Sequence, residues 1–169
     1  MPPKNQRWWL TTDSQSIEID APADRIYDLV ADMPRMGEWS NECARVEWTN
    51  GATGAAPNAT FLGHNYTGPR GIIKWSRKGR VLTADRGREF AFDRTEPFAG
   101  TVRWRYLFEP EGTGTRVTES YEVTKDLTVV GWFIIGTLYG RKDRRTEMRA
   151  SMLATLDRVA ELTEAPASV

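Results

Sequence analysis

The middle of the chain alternates large apolar and charged side chains with a period of two. Between residues 101 and 109 one parity holds three rings and a valine while the other holds arginines: Val102, Trp104, Tyr106 and Phe108 against Arg103 and Arg105. Successive side chains of a β-strand point to opposite faces, so this pattern predicts a strand with one buried and one solvated face. Strands of that kind belong to antiparallel sheets that cover a core on one side.

Similar segments flank this strand on both sides. Short turns such as Glu111–Gly114 separate them, which favours an antiparallel meander over alternating parallel units. We predict strands over residues 14–20, 45–49, 59–66, 72–83, 89–95, 101–109 and 116–123.

Helical spacing replaces this alternation at both ends of the chain. One helix is predicted from Pro22 to Pro34, with a second short turn over Met36–Ser40. A long C-terminal helix is predicted after Asp126 as N-cap, with an apolar stripe of Met148, Met152, Thr155, Leu156, Val159 and Leu162. We expect an N-terminal extension (1–13), a single domain (14–163) and a frayed tail (164–169).

Composition excludes several classes of protein. A single Cys cannot form an intramolecular disulfide, and a single His makes a His-rich metal site implausible. A net charge of zero argues against nucleic acid as a partner. Neither a phosphate-binding Gly-rich loop nor metal-spaced acids occur, so we expect no cofactor and no metal. The N-terminus lacks a signal-peptide core, and the apolar run Leu127–Gly140 is shorter than the ~20 residues of a membrane span, so a cytoplasmic protein is expected.

Three segments carry a family resemblance: IEIDAPADRIYDLVAD from Ile17, MGEWS from Met36 and GTRVTESYE from Gly114. Together they resemble the SRPBCC (START-like) superfamily, and within it the actinobacterial polyketide cyclase/dehydrase and lipid-transport type. The resemblance implies an α+β helix-grip fold, in which a curved antiparallel sheet wraps around the long C-terminal helix and leaves a hydrophobic cavity. Related members often carry Pro after the Trp-Ser pair, where this chain has Asn41.

The inward parity of the predicted strands is rich in aromatic rings. A flat or apolar ligand would fit such a lining, although each ring alone could equally fill the core. We expect the ligand-binding side chains to be Phe61, Trp75, Phe90, Phe92, Trp104, Tyr106 and Tyr121 from the strands, Trp39 from the short turn and Phe133 from the helical region.

Polar side chains on the same parity are the candidates for chemistry. Arg77 and Glu119 would be costly there unless they pair with each other or with a ligand, or unless a strand register differs and they reach solvent. Glu119 is the candidate general base, Arg77 could anchor a carbonyl or carboxylate, and Asn65 could hydrogen-bond a ligand. His64 has outward parity, and Cys43 is expected to be a packed thiol.

These residues favour binding of a hydrophobic small molecule (a lipid, polyketide or aromatic metabolite) by a carrier or sensor. The alternative is a cofactor-free polyketide cyclase or dehydratase that uses acid–base residues of the cavity, and a weaker one is a protein-interaction role. Whether the chain is an enzyme stays open. The basic residues of 70–88 and of 141–145 could contact an anionic membrane, and residues 131–135 could form a lid or a homodimer contact.

Overall fold

A computed structural model of the chain describes residues 11–41, 43–67, 73–96, 100–125 and 144–164. Within these ranges the strands are β1 (Thr12–Ile19), β2 (Cys43–Thr49), β3 (Thr60–Thr67), β4 (Ile73–Asp85), β5 (Glu89–Glu96), β6 (Gly100–Glu111) and β7 (Gly114–Lys125). The α-helices are α1 (Ala23–Ala31), α2 (Met36–Trp39) and α3 (Arg144–Glu164), and a 3-10 turn (Met33–Arg35) joins α1 to α2.

All seven strands form one antiparallel sheet in the order β1-β7-β6-β5-β4-β3-β2. The predicted meander from β2 to β7 is therefore confirmed. β1 adds to the β7 edge, where Ile17 pairs with Val117. This pairing brings the first and last strands together, and the helices α1 and α3 that follow them in sequence contact each other.

The helix α3 packs its apolar stripe against the concave face and against α1, α2 and β1. Met148, Met152, Thr155, Leu156 and Val159 are buried as predicted. Leu162 is only partly buried, and Thr163 occupies the buried position instead. Its hydroxyl donates a hydrogen bond to the Val159 carbonyl at 2.8 Å, so the polar group is satisfied within the helix. The predicted start at Asp126 lies outside the described residues.

The first helix ends earlier than its apolar spacing suggests. It stops at Ala31, because Asp32 leaves the helical region (φ −77°, ψ 74°). Pro34 has no N–H to donate to the carbonyl four residues earlier, so α1 cannot continue through it, and the chain passes through the 3-10 turn and restarts as α2. Met33 is nevertheless buried, and the turn delivers Trp39 to the concave face of the sheet.

Ion pairs link neighbouring strands of the sheet, and they also link the β4–β5 turn to α1. Arg103 pairs with Asp93 at 3.0 Å and Arg105 with Glu89 at 2.8 Å, in each case across neighbouring strands. Arg86, at the β4–β5 turn, pairs with Asp28 (2.6 Å) on α1, and a second carboxylate, that of Asp24, lies 2.7 Å from the same guanidinium. Exposed pairs of this kind contribute about 0–1 kcal/mol each, so they orient the elements more than they stabilise them.

Candidate functional site

The register arranges the concave face in rows that run across the sheet. Phe90, Tyr106 and Glu119 are paired in one row. Phe92, Trp104 and Tyr121 form the next row, toward the end where β7 finishes. Because each row comes from three neighbouring strands, the side chains in it lie within contact distance of one another.

Most of the predicted ring lining is buried, and the rings pack on one another. Ring centroids are 5.6 Å apart for Phe61–Phe92, 5.7 Å for Trp104–Tyr121 and 6.1 Å for Trp39–Tyr106, distances typical of favourable aromatic pairs. These rings therefore fill much of the space that they surround. The side chain of Trp75 and the whole of Phe133 lie outside the described residues.

A pocket of about 30 Å³ lies between the sheet and the helices α2 and α3. This volume is enough for one or two water molecules or for the polar group of a larger ligand. Its walls are formed by Met36, Trp39 and Ser40, by Phe92, Arg94, Trp104, Tyr106 and Glu119 from the sheet, and by Ser151, Met152 and Thr155 from α3.

Glu119 is deeply buried, with 3% of its surface exposed, and accepts a hydrogen bond from the Tyr106 hydroxyl at 2.7 Å. The two side chains stand opposite each other on β6 and β7. Sequence parity placed both of them inward, but it did not pair them. A phenol that donates to a buried carboxylate forms a short, charge-assisted hydrogen bond when the carboxyl is ionised.

Two tryptophan side chains form part of the walls of this pocket. Trp39 is 2% exposed and Trp104 is 8% exposed, and neither Nε1 has a hydrogen-bond partner among the residues described by the structure. Buried indole nitrogens usually find a partner, so these two donors are unusual features of the pocket walls.

Arg94 is a pocket residue that the sequence analysis missed. Its guanidinium carbon lies 5.5 Å from the ring centroid of Trp104, over the indole. The signal was available, because Arg94 has the same strand parity as Phe90 and Phe92. A charged residue near the end of a short strand is usually expected to reach solvent, and only the tertiary structure shows that Arg94 lines the pocket.

The polar end of the concave face is built on β2, β3 and β4. Asn65 pairs in register with Cys43 and is 3% exposed, and Arg77 is also buried. Burial raises the pKa of the Cys43 thiol, and the positive charges of Arg94 and Arg77 offset only part of that rise. Cys43 is thus a packed thiol, as expected, and its raised pKa disfavours the nucleophilic thiolate.

His64 lies on the convex face, away from the pocket. One ring nitrogen is 3.0 Å from Glu47 and the other is 3.0 Å from the Ser76 hydroxyl. Its predicted outward orientation is confirmed, and it cannot reach a ligand held on the concave face. The described residues hold no cluster of three or more His, Cys, Asp or Glu that could bind a metal ion.

A family model described as polyketide cyclase/dehydrase and lipid transport matches residues 12–163. The chain belongs to this family. Among curated proteins no sequence matches significantly. The predicted resemblance is confirmed at the level of the family, whose description covers both catalysis and transport.

Solved structures with the same fold include two that are described as aromatase/cyclases. The di-domain ARO/CYC StfQ from the steffimycin biosynthetic pathway superposes with a TM-score of 0.71 at 14% identity, over 91% of this chain and 50% of StfQ. The Zhui aromatase/cyclase from Streptomyces sp. R1128 superposes with a TM-score of 0.66 at 16% identity, over 90% of this chain and 93% of Zhui. The protein TTHA0849 from Thermus thermophilus superposes with a TM-score of 0.63 at 23% identity, over 93% of this chain and 99% of TTHA0849.

At these identities the likeness shows the fold alone. The curved seven-stranded sheet closed by a C-terminal helix is the predicted α+β helix-grip fold. In this polyketide cyclase/dehydrase-type chain the helix α3 and the short helix α2 close the concave face. In the described part of the chain no helix has both the length and the apolar character required to cross a membrane.

Proposed function

We propose that this protein binds a flat, hydrophobic small molecule against the concave face of the sheet, as a carrier or sensor. The observation that carries the proposal is the pair of buried indole N–H groups of Trp39 and Trp104, both in pocket walls and both without an acceptor in the described structure. Leaving a buried donor unsatisfied costs about 1–3 kcal/mol. A ligand oxygen would remove that cost at two positions.

The size of the pocket limits what can enter it. About 30 Å³ accommodates an oxygen-bearing group and not a whole lipid or polyketide. The apolar body of the ligand would then lie against the rings that border the pocket, above all Phe92 and Trp104. Family membership supports this proposal, because the family description includes lipid transport.

Native mass spectrometry of protein isolated from its own host tests the proposal directly. We expect a co-purifying hydrophobic molecule whose mass disappears on denaturation. Repeated spectra of the empty protein would contradict the proposal.

Matched tryptophan variants locate the binding site. Trp39→Phe and Trp104→Phe each remove one indole N–H from the pocket and should weaken retention of the molecule. Trp48→Phe removes an indole that packs on Phe61 outside the pocket walls, and it should leave retention unchanged. Equal effects of all three substitutions would place the ligand elsewhere.

A second candidate function is a cofactor-free cyclase or dehydratase. It is favoured by the buried Glu119 carboxyl and its Tyr106 partner at 2.7 Å. An ionised Glu119 could take a proton from a carbon between two carbonyls, and the resulting carbanion would attack a second carbonyl carbon of the same molecule. Protonated Glu119 would then return its proton to the new alkoxide, so the step balances without a cofactor. StfQ and Zhui are described as aromatase/cyclases, which lends support at the level of fold.

Substitutions that preserve shape separate binding from catalysis. Glu119→Gln removes the base and Arg77→Met removes a cation, while both keep most of the packing. Loss of turnover of a candidate poly-carbonyl substrate in Glu119→Gln, with retention of the bound molecule in native mass spectra, would support catalysis. If both variants kept full turnover, the enzymatic candidate would be rejected.

A further inference from the structure

Three polar side chains of the convex face form a hydrogen-bonded chain across three strands. His64 on β3 pairs in register with Ser76 on β4, and its Nδ1 lies 3.0 Å from the Ser76 hydroxyl. Its Nε2 lies 3.0 Å from Oε1 of Glu47 on β2. A hydroxyl, an imidazole and a carboxylate joined in this order are the parts of a nucleophilic relay, in which the imidazole takes the hydroxyl proton and the carboxylate orients the imidazole.

The carboxylate end determines where the protons of this chain lie. The hydrogen bond from His64 lowers the pKa of Glu47, so this carboxyl is ionised at neutral pH and can only accept hydrogen bonds. Nε2 of His64 must therefore carry a hydrogen, and in the neutral ring the lone pair is on Nδ1. The Ser76 hydroxyl then donates to Nδ1, which is the arrangement that general-base activation of a serine requires.

The two ends of the chain differ in how they are held. Nη2 of Arg45 lies 3.6 Å from Oε2 of Glu47, so the carboxylate is held by a cation on one oxygen and by the imidazole on the other. Ser76 is exposed, whereas 32% of the His64 side chain is exposed. A reagent can thus reach the hydroxyl directly from solvent, while the base is partly shielded by its neighbours.

We infer that Ser76 is a site of covalent acylation, at which an aryl ester or a thioester transfers its acyl group to the serine oxygen with His64 as the general base and Glu47 as its positioning residue. The inference goes beyond the proposed function, because this site lies on the opposite face of the sheet. An open face supplies little binding energy, so the acyl donor must carry a good leaving group.

The acylation step balances without a cofactor. Nδ1 of His64 takes the hydroxyl proton while Oγ of Ser76 forms a bond to the acyl carbon. The bond from that carbon to the phenol oxygen or thiol sulfur breaks, and the leaving group departs with the electron pair and accepts the proton from His64. The products are an O-acyl serine, a free phenol or thiol, and a neutral imidazole.

The rate of acetylation by 4-nitrophenyl acetate, followed at each serine by peptide mass spectrometry, tests the inference. Ser16 is the internal control, because it is also exposed on a strand but its hydroxyl lies 2.8 Å from the Thr118 hydroxyl and not beside a base. We expect Ser76 to react roughly a hundredfold or more faster than Ser16, the lower end of the effect of a general base. Hydroxylamine cleaves acetyl esters of serine but not acetyl amides, so acetylation of the exposed Lys78 is counted separately.

Variants assign the roles within the chain. His64→Gln removes the base and should reduce the Ser76 rate to that of Ser16. Glu47→Gln replaces the carboxylate by an amide that can also donate, and it should slow acetylation roughly tenfold or more. Glu122→Gln removes another exposed carboxylate, on β7, and should leave the rate unchanged as the matched control.

Nitrogen NMR of the imidazole provides a readout that a merely structural role of Glu47 would not move. His64 is the single histidine of the chain, so its two ring nitrogens are assigned without ambiguity. We expect the hydrogen of the neutral ring on Nε2 in the wild type and a mixture of the two tautomers in Glu47→Gln.

Three results would overturn the inference: equal acetylation of Ser76 and Ser16, a fast Ser76 rate that survives His64→Gln, or a neutral wild-type ring with its hydrogen on Nδ1. The three side chains would then be an ordinary cross-strand hydrogen-bonded chain, and binding at the concave face would stand or fall on its own test. The comparison of two serines within the wild type does not depend on the folding of any variant, and thermal unfolding verifies the fold of each substituted protein.

Discussion

Replacing Asn65 by Leu should make the ligand-free protein more stable. Leu keeps the γ-branched skeleton of Asn but is larger, so the substitution exchanges a buried amide for a buried hydrocarbon and leaves the site fuller. The amide is 3% exposed and has no hydrogen-bond partner in the described structure, so the folded protein bears the cost of desolvating it. That cost is about 1–3 kcal/mol for a buried polar group left unsatisfied.

The stabilisation should be measurable by urea denaturation and by thermal unfolding. For a chain of this length, 1 kcal/mol corresponds to a rise in Tm of about 2–4 °C, so a gain of about 2 kcal/mol should raise Tm by about 4–8 °C. Asn is also depleted in β-strands, so replacing it by Leu should raise the free energy of unfolding further.

Thr115→Val is the matched control, and it should lower the free energy of unfolding, which Asn65→Leu should raise. Thr115 is equally buried, at 2% exposed, but its hydroxyl donates to the Ala21 carbonyl at 2.8 Å. Removing the hydroxyl leaves that carbonyl without its donor, and the variant should lose about 1–2 kcal/mol. If Asn65→Leu destabilised the protein as Thr115→Val does, the prediction that an unsatisfied amide lowers the stability of the folded protein would be refuted.

Two further substitutions test the scaffold. Gly79→Ala would place a methyl group within the ring of Phe61 and should cost about 1–3 kcal/mol of unfolding free energy in urea, whereas Gly54→Ala, in open space, should stay within about 0.5 kcal/mol of the wild type. Equal effects of the two would mean that the ring moves aside freely. Arg86→Met should change the free energy of unfolding little at neutral pH, because its ion pairs are more than half exposed. The hydrogen bond from Arg86 lowers the pKa of Asp28 below its ordinary value of 3.8, so this contribution is complete above that value and is lost as the pH falls through the folded pKa. The difference between Arg86→Met and the wild type should therefore shrink in acid, and a difference that grew in acid would contradict the assignment.

The strands and helices could be predicted from the sequence because the two-residue period of a strand and the 3.6-residue period of a helix are visible within a short segment. Alternation alone placed Trp104, Tyr106 and Glu119 on the inward face, and the structure buries all three. The same local rule put His64 on the convex face. Helical spacing predicted most of the buried stripe of α3, and it failed at Leu162 and Thr163, where one residue of rotation separates a buried from a half-buried position.

The pairing of β1 with β7 and the register of all the strands are seen only in the tertiary structure. β1 meets β7 across a separation of about a hundred residues, as in the hydrogen bond between the Ser16 and Thr118 hydroxyls at 2.8 Å. No local pattern specifies that neighbour, because register depends on how the apolar faces of all the strands are buried together. The contact of Tyr106 with Glu119 and the position of Arg94 over Trp104 follow from the same registers.

Residue type and short-range periodicity were enough to predict the fold class, the family and most of the inward-facing side chains, with Arg94 as the exception. The tertiary structure decided what those side chains contact. It filled much of the concave face with paired rings, reduced the bordering pocket to about 30 Å³ and left the amide of Asn65 and the indoles of Trp39 and Trp104 without partners in the described residues. Satisfaction of a buried polar group depends on atoms brought from distant parts of the chain, so no sequence pattern reports it.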